Sequence, residues 1–164
     1  MTGPPRFLAD AMLGGLARWL RILGLDAAYE PHVADRVLVL RARADGRTLL
    51  TRDRRLHAAE RLAPVYLVRT EGPLEQLREV IERFRLGHCL APFTRCTRCN
   101  VPLLRLEEGE IQTGAATARP GIPEAAREQG APVFHCPICG RLYWEGSHTR
   151  RMREAVARAL GREV

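Results

Sequence analysis

The sequence predicts an α/β fold with a parallel sheet, followed by a small cysteine-framed module and a closing helix. Three observations carry this. Short apolar runs alternate with helical stripes over residues 6–86. Two Cys-x-x-C pairs bracket a glycine- and proline-rich stretch beyond Gly87, and Ser147 opens a last amphipathic segment. The expected units are residues 1–90, 91–146 and 147–164.

Arg6–Ala9 reads as a strand ending at Asp10. Ala11–Leu23 then places Met12, Leu16, Trp19, Leu20 and Leu23 at helical spacing, with Arg18 and Arg21 off the stripe, and Gly24 stops it. Asp26–Tyr29 forms a second strand before Pro31. A helix from Asp35 to Ala44 closes at Asp45-Gly46. Arg47–Thr51 is a strand ending at Asp53, its apolar middle suited to cover on both faces. A short helix through Leu56 to Leu62 and a strand over Val65–Val68 follow. Pro73 opens a helix whose stripe is Leu74, Leu77, Ile81 and Phe84. Repeated units of this kind put helices on both faces of the sheet, with right-handed crossovers. Beyond Gly87, Pro102–Leu106 and Val133-Phe134 are short strand-like pieces. Ser147 is placed to cap a helix presenting Met152, Val156 and Leu160 on one side.

With 164 residues, 46% apolar and 27% charged, the chain can bury a core. No apolar run is long enough to span a membrane and no secretory leader is expected, so the expected location is the cytoplasm. All 26 Lys+Arg residues are arginine. The absence of lysine excludes Walker-type phosphate binding and Schiff-base or pyridoxal chemistry. It also argues against receiver domains and dehalogenase-like phosphatases, which use a lysine. The formal charge of +7 suits a polyanionic partner such as nucleic acid, or an arginine-rich solvated surface.

Cys96-Thr-Arg-Cys99 and Cys136-Pro-Ile-Cys139 are separated by 36 residues. Each pair can place two thiolates on one tight turn, and two such turns complete a tetrahedron around Zn²⁺. Asn100 and Gly140 follow the pairs, and both tolerate the left-handed backbone such turns need. Four thiolates close the shell, so the zinc is expected to be structural, in a stretch with few large apolar side chains. His135 and His148 are spare ligand types. Cys89 is expected as a small buried hydrophobe.

Asp10 and Asp53 each fall where a strand gives way to a helix, and Asp35 opens another helix. In an open parallel sheet these positions share one edge, where a ligand crevice forms. Carboxylates gathered there repel one another unless a hard cation such as Mg²⁺ or Mn²⁺ intervenes, and such a site can hydrolyse a phosphodiester. The alternative is that each aspartate only caps a helix.

The words Phe7-Leu8-Ala9-Asp10-Ala11-Met12-Leu13-Gly14-Gly15-Leu16-Ala17-Arg18-Trp19-Leu20-Arg21 resemble the opening of the PIN-like ribonucleases known as the mutator-seven C-terminal RNase domain. Leu49-Leu50-Thr51-Arg52-Asp53-Arg54-Arg55-Leu56 resembles its second signature. Arg95-Cys96 to Asn100, Cys136 to Arg141, Tyr143-Trp144 and Gly146-Ser147-His148 resemble its zinc-binding portion. The resemblance implies a three-layer PIN-like domain with a zinc ribbon, cleaving RNA with acidic residues and Mg²⁺ or Mn²⁺. Asp10 and Asp53 match the acidic positions directly. Asp35 matches within His32-Val33-Ala34-Asp35-Arg36, where the family often has consecutive acids, and Glu30 is a further candidate. Arg18, Arg21, Arg52, Arg54 and the ribbon's Arg98 are expected to grip the RNA backbone near that edge. His148 either approaches RNA or makes a local bond in its helix. Trp19 is expected in the core, and Trp144 either packs the ribbon or stacks a base. The rival reading is a non-catalytic zinc-ribbon RNA-binding module or a ribosome-associated regulator.

Overall fold

The structure is a computed structural model that describes residues 4–106 and 132–161, with Glu124, Ala126 and Gly130 between them. The middle of the expected ribbon, 107–123, and the extreme termini of the outer units lie outside the described residues. Strands β1 (Phe7–Ala9), β2 (Ala27–Tyr29), β3 (Thr48–Thr51) and β4 (Val65–Leu67) form a parallel sheet in the order β2-β1-β3-β4. The register sets Leu8 against Ala28 and Leu49, and Leu50 against Tyr66. Helices α1 (Gly14–Ile22), α2 (Asp35–Ala44), α3 (Arg54–His57) and α4 (Pro73–Arg83) alternate with these strands or follow them.

Side-chain alternation along each strand divides the core. Phe7, Ala9 and Leu50 point to one face, where Leu16 and Leu20 of α1 and Leu77 and Val80 of α4 cover them. Leu8 and Leu49 point to the other face, under Leu38, Val39 and Ala42 of α2 and Leu56 of α3. The result is three layers, and β3 is covered on both sides as its apolar middle predicts. Trp19, Cys89 and Phe84 are partly buried against the first cluster.

The helix expected over Ala11–Leu23 starts instead as a 3-10 turn at Ala11–Leu13, because the Asp10 carboxylate accepts the Met12 N–H at 2.9 Å. Gly24 ends α1 in the left-handed region, at φ +81°. A Cβ there would collide with the Ala91 carbonyl, so the same glycine lets the following linker close onto the helix end.

Beyond the linker, β5 (Leu104–Arg105), β6 (Val133–His135) and β7 (Leu142–Trp144) form an antiparallel sheet. The sequence reading missed β7, although Leu142-Tyr143-Trp144 is rich in strand formers. Trp144 packs beside Leu106, Ala126, Val133 and Leu142. Helix α5 (Ser147–Leu160) lies on α4, with Val156 in the main core. Ser147 is its first helical residue rather than its cap. The capping hydroxyl belongs to Thr149, which accepts the Gly146 N–H and donates to the Gly146 carbonyl, each at 2.7 Å. Among the described residues, no helix is long and apolar enough to cross a membrane.

Candidate functional site: two edges of one sheet

Parallel strands put all their carboxyl ends on one edge and all their amino ends on the other. The chain leaves β1 toward β2 on one side and enters β3 on the other side of β1, so the switch point lies between β1 and β3. Asp10 directly follows β1 and Asp53 lies two residues past the end of β3, so both stand at that crevice.

Asp10 is buried, at 5% exposure, yet carries no ion-pair partner among the described residues. Its Oδ1 accepts the Met12 N–H and its Oδ2 accepts the hydroxyl of Thr51. Thr51 is fully buried, and its Oγ1 in turn accepts the Asp53 N–H at 2.9 Å. One threonine therefore ties the two acids together. Asp53 caps α3 through Oδ1, which accepts the Arg55 N–H at 2.7 Å. Both aspartates thus make the capping bonds that the alternative reading requires. Capping leaves Asp53 Oδ2 without a protein donor among the described residues, and leaves spare lone pairs on Asp10.

Asp35 is exposed in the first turn of α2 and makes no cap bond. Glu30 is paired with Arg41. Of the arginines expected at this edge, Arg54 is exposed at the start of α3, and Arg52 reaches Glu71 at 3.4 Å. Arg18 is exposed along α1.

Arg21 departs from expectation. It is buried, at 7% exposure, and donates to the carbonyls of Ala27 at 2.7 Å and of Thr97 and Arg98, each at 3.0 Å. Its off-stripe position turns it toward the ribbon rather than toward solvent, and its Nε and Nη1 donors are already engaged.

Those bonds also place the ribbon. The Cys96–Asn100 turn docks where α1 hands over to β2, at the amino edge of the sheet. Asn100 Oδ1 accepts the Ala27 N–H at 3.0 Å, and its amide donates to Asp26 Oδ1 at 2.6 Å. Arg47, just before β3, donates to Asp26 at 2.6 and 3.2 Å. Burial works against the charged form of Asp26, but hydrogen bonds from Arg47 and Asn100 outweigh it and hold its carboxyl below the usual range. The exposed Arg98 therefore stands on the edge opposite the carboxylates, about 10 Å of strand away, rather than beside them. Exposed His148 belongs to that side too, because Met152 and Arg153, one turn further along α5, lie beside Ile22 and Phe93.

The four cysteines of the two pairs are free thiols whose sulfurs lie within 4.8 Å of one another. They are the one such converging group of three or more among the described His, Cys, Asp and Glu side chains; the aspartates form none. Cys96 Sγ and Cys139 Sγ are 3.8 Å apart, the sulfur spacing of a tetrahedron with Zn–S bonds of about 2.3 Å. Asn100 and Gly140 both adopt positive φ, as the tight turns require. The donor set, spacing and turns fit zinc. Burial raises the Cys96 thiol, but the Tyr143 hydroxyl at 3.1 Å and the N–H groups of Cys99 and Arg98 bring it down to about 6. Burial and neighbouring sulfurs push Cys99 up to about 12. Without metal, the thiolate is therefore favoured at Cys96 over Cys99 and Cys136, and metal binding must displace the protons of those two.

Fold and sites together define a three-layer α/β protein with an acidic switch point and a four-cysteine ribbon. The model of the Mut7-C RNAse domain matches residues 5–156, and the chain belongs to that family, which is of ribonuclease type. No curated protein and no solved structure matches the chain.

Proposed function

We propose that the protein hydrolyses RNA phosphodiester bonds at the carboxyl edge of its sheet, with Mg²⁺ or Mn²⁺ held by Asp10 and Asp53. The observation that carries this reading is a pair of carboxylates, joined through Thr51 at the switch point, for which no cation comes from the described residues. A buried carboxylate kept unpaired is costly unless a cation joins it. Magnesium suits such a place, since it takes one or two carboxylates and completes its shell with water and substrate phosphate. Asp35, exposed at the start of α2 on the same edge, is the third acid proposed for the site. When bound, the ion activates water and stabilises charge developing on the phosphate.

The side chains of the chain hold and orient. Thr51 fixes the Asp10 carboxylate by donating to one oxygen, while the Met12 N–H fixes the other. Arg18, Arg52 and Arg54 neutralise backbone phosphates near the crevice. Arg98 and His148 extend the RNA surface along the ribbon side. The ribbon's zinc is structural, and the protein works in the reducing cytoplasm, where four thiolates stay available.

The test is RNA cleavage by wild type, Asp10→Asn and Asp53→Asn with Mg²⁺ or Mn²⁺, over several RNA types. Each variant should lose at least about 100-fold in rate, roughly 3 kcal/mol of transition-state stabilisation. Melting should barely move, because asparagine caps helices as well as aspartate. Wild type that binds RNA without cutting any of it leaves the non-catalytic binding module as the function.

A further inference from the structure

The clamp between ribbon and sheet has a consequence for the metal. Arg21 is a buried cation whose hydrogen bonds all go to neutral carbonyls, those of Ala27, Thr97 and Arg98. The ionisable groups that act on it across the turn are Cys96, Asp26 and Cys99, which favour its charge, and Arg95, which opposes it. Four thiolates around a dication carry a net charge of about −2, which a guanidinium held against the same turn offsets. The dependence also runs the other way. Ala27 is fully buried, heads an edge strand, and gives its N–H to the Asn100 side chain. With the Cys96–Asn100 turn undocked, the Ala27 N–H loses its acceptor, Arg21 Nη1 loses both of its carbonyls while Nε keeps that of Ala27, and Asp26 loses the Asn100 donor and keeps Arg47.

We propose that the zinc site extends into the α/β domain: Arg21 and Asn100 are positioning residues for the metal, and zinc occupancy orders the amino edge of the sheet. Linkage makes the effect reciprocal, so whatever zinc contributes to docking, docking contributes to zinc affinity. Metal removal then loosens β2 and the end of α1, not the ribbon alone. The inference rests on the four-cysteine metal site and is independent of any cleavage chemistry.

Two measurements on the full chain test it. First, amide hydrogen exchange is followed in the zinc-loaded protein and after chelation. The Ala27 amide, and that of Phe7, which donates to the Asp26 carbonyl at 2.8 Å, should exchange at least about tenfold faster without zinc. Amides in the middle of α4 should change far less. Second, zinc affinity is measured by chelator competition. Arg21→Met and Asn100→Ala should each weaken binding by about tenfold or more, the usual effect of removing a group that supports metal ligands. Arg105→Ala, on the exposed strand β5, should leave it unchanged. If Arg21→Met does not fold, Asn100→Ala and the wild-type exchange data decide. Zinc removal that leaves Ala27 fully protected, or an Asn100→Ala protein that binds zinc as tightly as wild type, overturns the coupling alone. A wild-type chain that takes up no zinc overturns the metal site itself.

Discussion

The amino edge of the parallel sheet carries one partly buried aspartate and the carboxyl edge two, one of them buried, and the two edges treat them in opposite ways. At the amino edge, Asp26 is saturated: Arg47 supplies two donors, Asn100 a third, and the ribbon covers it. At the carboxyl edge, Asp10 and Asp53 receive donors from backbone and Thr51 but no cation among the described residues. The difference is instructive because the residue type is the same and the more deeply buried acid, Asp10, is the one left without a cation among the described residues. A carboxylate whose charge is answered inside the protein stabilises the fold. One whose charge is left open stabilises little and is available to a partner from outside.

The sharpest way to break that contrast is to neutralise Asp26 and compare it with Asp53→Asn. Asp26→Asn leaves the Arg47 guanidinium, 13% exposed, without its main counter-charge and should cost about 2 kcal/mol in urea unfolding. Cleavage per folded molecule should stay within about twofold of wild type, the reverse of the signature expected at the carboxyl edge. The pH dependence follows from the same pairing. Because the folded-state value is held low, the Asp26 contribution is complete above the unfolded value of about 3.9 and is lost as pH falls through the depressed one. Wild type should therefore lose stability below about pH 4 by a component absent from Asp26→Asn. Equal acid profiles for the two proteins would place the stabilising charge elsewhere.

Much of this contrast is legible in the sequence, and the rest is hidden for definable reasons. The strands and helices of the first half announce themselves because local periodicity and capping agree with the tertiary answer; α2 begins at Asp35 and ends at Ala44 as read. Cysteine spacing reveals the ribbon because the metal imposes it. The acids after β1 and β3 are readable because a parallel sheet fixes which end of each strand meets the crevice. What is not legible is where the ribbon docks. Its bonds join residues more than seventy positions apart, such as Arg21 to Thr97 and Ala27 to Asn100, and no local pattern encodes them. Arg21 looked like a surface arginine for that reason. Thr51 was passed over because a threonine at a strand end is unremarkable until its hydroxyl is seen between two aspartates.

Thr51 sharpens the comparison from inside the acidic edge. Thr51→Val keeps the shape and removes the hydroxyl, freeing one oxygen of Asp10 and leaving the Asp53 N–H without its acceptor. The expected result is a loss of about tenfold in Mn²⁺ affinity, in line with other groups that orient ligands. Thr51→Ser should recover most of it. Stability should fall by only about 1 kcal/mol, since one buried N–H loses its partner. A variant that loses stability alone, with Mn²⁺ affinity intact, would make Thr51 part of the core and nothing more.

The smallest expected effect separates the edges by their arginines. Arg54 adjoins Asp53, whereas Arg98 lies on the ribbon turn at the far edge. If RNA crosses the carboxyl edge, Arg54→Ala should weaken binding a few-fold and reduce the slope of log affinity against log salt by about 1, the signature of one lost phosphate contact. Arg98→Ala should also reduce RNA affinity if the ribbon extends the binding surface, but it should not change the single-turnover rate of cleavage once RNA is saturating. Single-turnover kinetics at two salt concentrations distinguish the two roles. A drop in the saturated rate for Arg98→Ala would mean that the scissile phosphate sits within reach of the ribbon turn and not of the carboxyl edge alone.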